Sequence, residues 1–143
     1  MAPIADIVAA LAADTTIAAV AGSRVYDRDV RRVGWESVNA FDADNDLLPL
    51  LMVDDAGASR AAFGSPIEAG MVYVWAYAAR TDAGRTAVAT LMERVIAVMD
   101  GAQLGSPGPM VRWAGRLGLQ DDDDAVFDRT TLQVAGVLAT QRW

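Results

Sequence analysis

The first twenty residues carry apolar side chains at helical spacing. They recur every three or four positions, which predicts an amphipathic helix at the start of the chain. Asp14 is placed to cap a second short helix over residues 15–20, and Gly22 is placed to end it. The apolar stripe of the first helix consists of Ile4, Ile7, Val8 and Leu11.

Three segments in the first half of the chain have strand character. Residues 24–26 predict a short strand, and the apolar run 47–53 predicts a strand entered at Pro49. Residues 71–79 form the strongest strand pattern, and both of its faces are apolar, as in a strand that is covered on both sides. Tyr73, Trp75 and Tyr77 lie on one face and Val72, Val74 and Ala76 on the other.

The second half begins with a long helix that we expect Asp82 to cap and Gly101 to end. Apolar and polar residues then alternate over 111–119, which predicts a half-exposed strand, and the aspartate run 121–124 predicts a turn. A return strand over 127–139 follows, with Gly136 as a candidate bulge. The buried stripe of the helix consists of Val88, Leu91, Met92, Val95 and Met99.

These elements predict a single α+β domain over residues 1–143. The simplest arrangement is a mostly antiparallel sheet of three to five strands, with two helices packed on one face. The expected connections are a long loop at about 27–46 and a second one over 54–70, with some strand near 59–63.

The composition excludes several kinds of chemistry. The chain has no cysteine and no histidine, which excludes disulfides, thiolate metal sites and a Ser-His-Asp triad. Its net charge of −7 opposes binding to nucleic acid or to an anionic membrane. The apolar start carries Asp6 and Asp14 and lacks the basic residues of a signal peptide. We expect a soluble, non-enzymatic protein made inside the cell, without metal or cofactor.

Two acidic segments are the candidates for a cation site. Asp42, Asp44 and Asp46 have the spacing of a calcium loop, but Leu47 stands where its glycine is needed. The run of aspartates lacks the spaced oxygen ligands of such a loop. Both segments are interpreted as solvated acidic loops; the run consists of Asp121, Asp122, Asp123 and Asp124.

The aromatic face of residues 71–79 is the strongest candidate for an interaction surface. One set of helices cannot cover both faces of that strand, so either the 27–46 loop or another subunit covers Tyr73, Trp75 and Tyr77. Aromatic residues and arginine are enriched at the cores of interfaces. Arg112 and Arg116, on a neighbouring strand, are therefore further interface candidates.

Four stretches, in this order along the chain, resemble the small tail-terminator (tail-completion) proteins of long-tailed bacteriophages. They cover most of the chain, although each is a pattern of fold and the 27–46 segment has no counterpart. The stretches are the first helix with Leu11-Ala12-Ala13-Asp14 leading to Ala21-Gly22-Ser23-Arg24-Val25-Tyr26; Leu48-Pro49-Leu50-Leu51-Met52-Val53; Val72-Tyr73-Val74-Trp75-Ala76-Tyr77 with the helix through Val98-Met99-Asp100-Gly101; and the strands flanking the aspartate run.

The resemblance implies a virion subunit at the head-proximal end of the tail, assembled in the host cytoplasm as a hexameric ring. Such rings stop polymerisation of the tail-tube protein and dock to the head–tail connector (stopper), and genomic DNA passes through them without sequence-specific binding. Asp121–Asp124 are then candidates for the lumen. Independently of the resemblance, the 27–46 loop is long, polar and without a period, so we expect it to become ordered against neighbouring subunits, with Arg31, Arg32, Trp35 and Phe41 as candidates for its contacts.

Other functions fit the same sequence. The alternatives are another neck or minor tail component of a phage, or a small-molecule-binding α+β domain. The order of elements, with a helix first, argues against an all-helical adaptor and an all-β tube subunit.

Overall fold

One layer of helices packs on one face of a mixed sheet. The structure, a computed structural model, describes residues 4–27, 40–44, 46–60, 68–104, 110–116, 120–124 and 129–142, with the backbone alone for 55–60, 68–69, 120–124, 129–133, 135 and 141–142. Its helices are α1 (Ile4–Ala12), α2 (Thr15–Ala21) and α3 (Asp82–Met99). Its strands are β1 (Val25–Tyr26), β2 (Leu50–Arg60), β3 (Glu68–Ala79), β4 (Met110–Arg116), β5 (Gln120–Asp124) and β6 (Arg129–Arg142).

The sheet is five strands wide within the described residues, in the order β1-β2-β3-β6-β4, and β5 pairs with β6 beyond the end of β4. β1 is parallel to β2, and the other neighbours are antiparallel. Because β3 and β4 both run antiparallel to β6, α3 connects two parallel strands across one inserted strand. The predicted α+β class and the mostly antiparallel sheet are confirmed.

The start of the chain follows the prediction closely. The Asp14 side chain accepts the Ile17 N–H at 3.0 Å and caps α2, and Gly22, at φ 58°, ends that helix. The Arg24 side chain then donates from Nε to the Pro49 carbonyl at 2.8 Å. This bond joins the end of α2 to the entry of β2 and sets the short parallel pairing of β1.

The cap of α3 differs from the prediction by one residue. Thr81, not Asp82, is the N-cap, because its Oγ1 accepts the Gly84 N–H at 3.0 Å. Asp82 lies in the first turn, where its charge favours the positive end of the helix dipole. The predicted stripe of α3 is buried as expected, and Gly101 follows the C-cap with a φ of 83°.

The connection predicted over residues 54–70 is wrong, because most of it is strand. β2 continues to Arg60 and β3 begins at Glu68, and their pairing runs from Leu50 opposite Tyr77 to Arg60 opposite Glu68. Asp, Gly, Ala and Ser have low strand propensity, so composition alone indicates a loop there. Pairing with β6 along all of β3 imposes the strand conformation instead.

The two predictions about the last hairpin are also corrected. Asp121–Asp124 lie in β5 and pair with β6, so they are not a turn. Gly136 pairs regularly with Val74, and the irregularity lies in β4 between Trp113 and Gly115. Gly136 instead leaves room for the Trp113 ring, since a Cβ there would meet Trp113 Cζ3 at 2.6 Å. The predicted strand residues Leu117 and Leu119 lie outside the described residues.

The main core lies between the helices and the sheet. Residues from α1, α2 and α3 pack there against alternate residues of β2, β3 and β6, among them Val72, Val74 and Leu138. No single helix among the described residues is long and apolar enough to cross a membrane. α1 and α2 together meet the length and composition of a span but join at 88°, and Ile7, Leu11 and Ile17 are buried in this core.

One ion pair ties the helical layer together. Arg94 on α3 donates to both carboxylate oxygens of Asp14, from Nη2 at 2.7 Å and from Nε at 3.2 Å. The Asp14 side chain is 10% exposed and that of Arg94 is 39% exposed. The bond to Arg94 and the cap bond from Ile17 together hold the pKa of Asp14 below its ordinary value of 3.8.

We therefore predict an acid-dependent loss of stability that involves Asp14. A carboxyl group whose pKa is lowered on folding stabilises the fold above its unfolded pKa, and this contribution disappears as the pH falls through the folded pKa. Asp14→Asn should lower the melting temperature by several degrees at pH 7, and the difference from wild type should shrink below about pH 4. Thermal melts from pH 7 to pH 2 measure this difference in melting temperature, and Asp6→Asn, at an exposed position, is the control. A difference that stays constant with pH contradicts the assignment.

A second prediction concerns the packing of α3 against the end of β3. A Cβ at Gly84 would overlap the carbonyl oxygen of Ala79, a backbone atom that cannot move independently of the strand. Gly84→Ala should therefore lower the free energy of unfolding by about 1–3 kcal/mol. Helix propensity alone would raise it by about 1 kcal/mol. Denaturant titration decides between the two signs, and a stabilised variant would contradict the close packing.

Candidate subunit interface

A row of aromatic side chains runs along the face of β3 that turns away from the helices. The Tyr73 and Trp75 ring centroids lie 6.1 Å apart in an edge-to-face arrangement, and those of Trp75 and Tyr77 lie 6.2 Å apart. Exposure increases along the row. Tyr77 is fully buried, Trp75 and Tyr73 are half-buried, and Met71 at the far end is 44% exposed.

The buried end of the row is covered by the chain itself. Ala40 and Leu47 are buried there with Tyr77, and Phe41 packs against them. The segment is held by bonds from Leu48 N–H to the Ala40 carbonyl at 2.7 Å and from Ala79 N–H to the Leu47 carbonyl at 3.2 Å. The end of the predicted 27–46 loop therefore covers part of the aromatic face, and Tyr77 belongs to the domain's own core rather than to a subunit interface.

We call residues 40–48 the covering segment. Its acidic residues shape a turn. One oxygen of Asp42, Oδ1, accepts the backbone N–H groups of Asp44 and Asp46, both at 2.9 Å, and thereby shapes the turn. Phe41 and Leu47 form a bridge across the base of the turn. Among the residues that the structure describes, no group of three or more carboxylates could hold a metal ion.

Packing against the same cluster changes the pKa of the Tyr26 hydroxyl group. Tyr26 packs against the cluster around Tyr77. Burial raises the pKa of Tyr26 above its ordinary value of 10.0, and the nearby positive charge of Arg24 opposes the rise. Tyr26 therefore remains neutral at physiological pH and acts here as a packing residue.

The other end of the row is open, and its neighbours follow from the register of the strands. Tyr73 lies between Asp54 on β2 and Val137 on β6. Met71 lies beside Ala139, which in turn lies opposite Arg112 on β4. All of these residues are half-buried or exposed. We call this set the open sheet face: Asp54, Met71, Tyr73, Trp75, Arg112, Val137 and Ala139.

The two arginine candidates lie on different faces of the sheet. Direct partners in an antiparallel pair share a face. Arg112 pairs with Ala139 on the open sheet face, whereas Arg116 pairs with Gly136, whose missing Cβ would meet Met92 of α3. Four positions along a regular strand would return to the same face, but the irregularity between Trp113 and Gly115 shifts the alternation by one residue. Both arginines are exposed.

The remaining candidates contribute little to this site. Asp121–Asp124 lie on a strand at the edge of the described sheet, and only their backbone is described. Arg31, Arg32 and Trp35 lie outside the described residues, and Phe41 belongs to the covering segment. Sequence reasoning missed four residues of the open sheet face: Asp54, Met71, Val137 and Ala139. Met71 could have been found, because it lies two residues before Tyr73 on the same face of the strand.

The open sheet face has the composition of a binding surface. It offers a row of apolar and aromatic side chains with a carboxylate on one flank and a guanidinium on the other. Strands in a sheet lie about 4.8 Å apart, and three strand spacings separate Asp54 from Arg112, so these two groups are too far apart for joint acid–base work.

Comparison with known proteins gives a similarity of fold but no family. No protein-family model matches the sequence, and no curated protein matches it significantly. Among solved structures, the fold is similar to that of a chain in the virion of a native gene transfer agent (GTA) particle, with a TM-score of 0.61. The match covers 98% of this chain and 93% of that chain at 16% sequence identity. At this level of identity the likeness is one of fold.

Proposed function

We propose that this protein is a structural, non-enzymatic subunit of a phage-like virion. The observation that carries the proposal is the fold shared with a chain of a gene transfer agent virion, which spans both chains almost from end to end. The residue inventory agrees with a structural role, because the sequence lacks the histidine and cysteine on which most nucleophile–base pairs depend.

Within the virion, we propose the role of tail terminator. The subunit would form a ring, hexameric as in the family that it resembles, at the head-proximal end of the tail. The open sheet face supports assembly, because a sheet with two apolar faces needs cover on both and the helices supply it on one. The tail-tube protein and the head–tail connector are the proposed partners above and below the ring.

The net charge supports passage of DNA through such a ring. A chain with a charge of −7 repels the phosphate backbone, so duplex DNA would slide through a ring of these subunits without binding to its wall. The aspartates of β5 are the proposed residues of this lumen.

The first prediction from the proposed function concerns ring formation. The purified protein should give a species of about six times the subunit mass by native mass spectrometry, and annular particles with a central hole by electron microscopy. Removing its gene from the genome that encodes the particle should give tails of uncontrolled length that remain detached from heads. Monomers at every concentration, or normal attached tails in the deletion strain, would contradict the proposed role.

A second prediction separates assembly from folding along the aromatic row. Tyr73→Ala should weaken assembly about thirtyfold, which corresponds to about 2 kcal/mol, and should leave the melting temperature of the monomer nearly unchanged. Tyr77→Ala, the matched control in the core, should cost about 3–5 kcal/mol of folding stability. Trp75→Ala should affect both, since Trp75 is half-buried against the core cluster and half-exposed.

Oligomer mass at several concentrations and melting temperature, measured for all three variants, give the result. A Tyr73→Ala protein that forms full-sized rings as readily as wild type would refute the interface at the open sheet face.

A further inference from the structure

The outer surface of the helical layer carries small side chains and more acidic than basic residues. On α1, Ala5, Ala9 and Ala12 are exposed, and on α3, Ala89 and Ala97 are exposed. The two helices contact each other in the same layer. The exposed charged residues of α1 and of α3 with its C-cap are Asp6, Asp82, Glu93 and Asp100, against Arg85 and the partly exposed Arg94, whose charge is engaged by Asp14.

The β4 side of the open sheet face has properties complementary to that surface. The face carries the large side chains Met71, Tyr73 and Trp75, and its exposed charge at the β4 side is the guanidinium of Arg112, whereas the half-buried carboxylate of Asp54 lies on the opposite flank. The two surfaces lie on opposite sides of the layered fold, because the helices cover the other face of the same sheet. A small-residue helix surface allows close approach, and an acidic surface attracts arginine.

We infer that the open sheet face of one copy packs on the α1–α3 outer surface of the next copy, with Arg112 directed to Glu93. This contact joins two different surfaces, so it is head-to-tail, and repetition of it closes a ring or extends a chain. In this contact, the helices of the next copy cover the second face of the sheet. The inference rests on the proposed ring and names the two surfaces that form it.

A face-to-face pair is the competing arrangement. A two-fold axis that lies between two open sheet faces and runs parallel to the strands would place Arg112 of each copy on the side of Asp54 of the other, since these residues lie on opposite flanks of the same face. Such a contact is closed after two copies and leaves the acidic helix surface unused. The pairing partner of Arg112 therefore distinguishes the two arrangements.

The test exchanges the charges. Arg112→Glu and Glu93→Arg should each weaken assembly by about tenfold or more, because each places like charges together in every contact. In the double variant the opposite charges face each other again, and assembly should return. A mixture of the two single variants should also assemble, in alternating order. In a head-to-tail contact between unlike copies, the two substituted side chains face each other at one junction and the two native side chains at the next, so opposite charges meet at both.

The matched control is Arg116→Glu, the same charge change on the same strand but on the other face of the sheet. It should assemble like wild type, and circular dichroism and melting temperature should show that all variants fold. Full assembly of Arg112→Glu would overturn the inference while leaving the ring proposal intact. Rescue of Arg112→Glu by Asp54→Arg instead of Glu93→Arg would overturn the inference and identify the closed two-fold pair as the contact at this face. A wild-type protein that stays monomeric at its highest soluble concentration would overturn both.

Discussion

The structure depends on one constraint: the sheet is apolar on both faces, and the helices of the described residues cover only one of them. β3 lies at the centre of the sheet, and its aliphatic residues Val72, Val74 and Ala76 are buried under the helices. Its other face carries the aromatic row, which costs free energy wherever water reaches it. The covering segment, residues 40–48, buries Tyr77 but does not bury Tyr73. The rest of the face is half-buried or exposed within the described residues.

Local signals predicted much of the fold. The helices, the Asp14 cap and the stripe of α3 follow from spacing and capping chemistry that operate within a few residues. Long-range pairing was not predictable in the same way. β6 pairs with β3 over the whole length of β3 and with β4 and β5 along its other edge, and β3 pairs in turn with β2. The pairing with β3 imposes strand on residues 55–60, and the pairing with β6 imposes it on four consecutive aspartates. No local propensity indicates either of these, because the stabilising partner lies far away in sequence.

The candidate site shows the same division between local and distant causes. Alternation along residues 71–79 predicts an aromatic face, and the structure has it. Which part of that face is open depends on where residues 40–48 return to the sheet, which alternation cannot indicate. The placement of Arg116 depends on a single irregularity in β4, between Trp113 and Gly115. Sequence reasoning that assumes a regular strand places both arginines together, and one extra residue is enough to separate them.

The graded exposure of the aromatic row has a consequence for how such a subunit works. A subunit that must remain folded before assembly cannot leave its whole aromatic face in water, and one that must assemble cannot bury all of it. Here the two requirements are met by different residues of one strand. Tyr77 and its cover stabilise the free domain, whereas Tyr73 and Met71 keep exposed apolar area whose burial can favour association. Trp75 contacts the core cluster on one side and belongs to the open sheet face on the other. If that face is the subunit interface, as proposed, folding and assembly are coupled through Trp75. Occupation of the open sheet face by a partner would therefore also stabilise the covering segment, so that the assembled subunit is more stable than the free one.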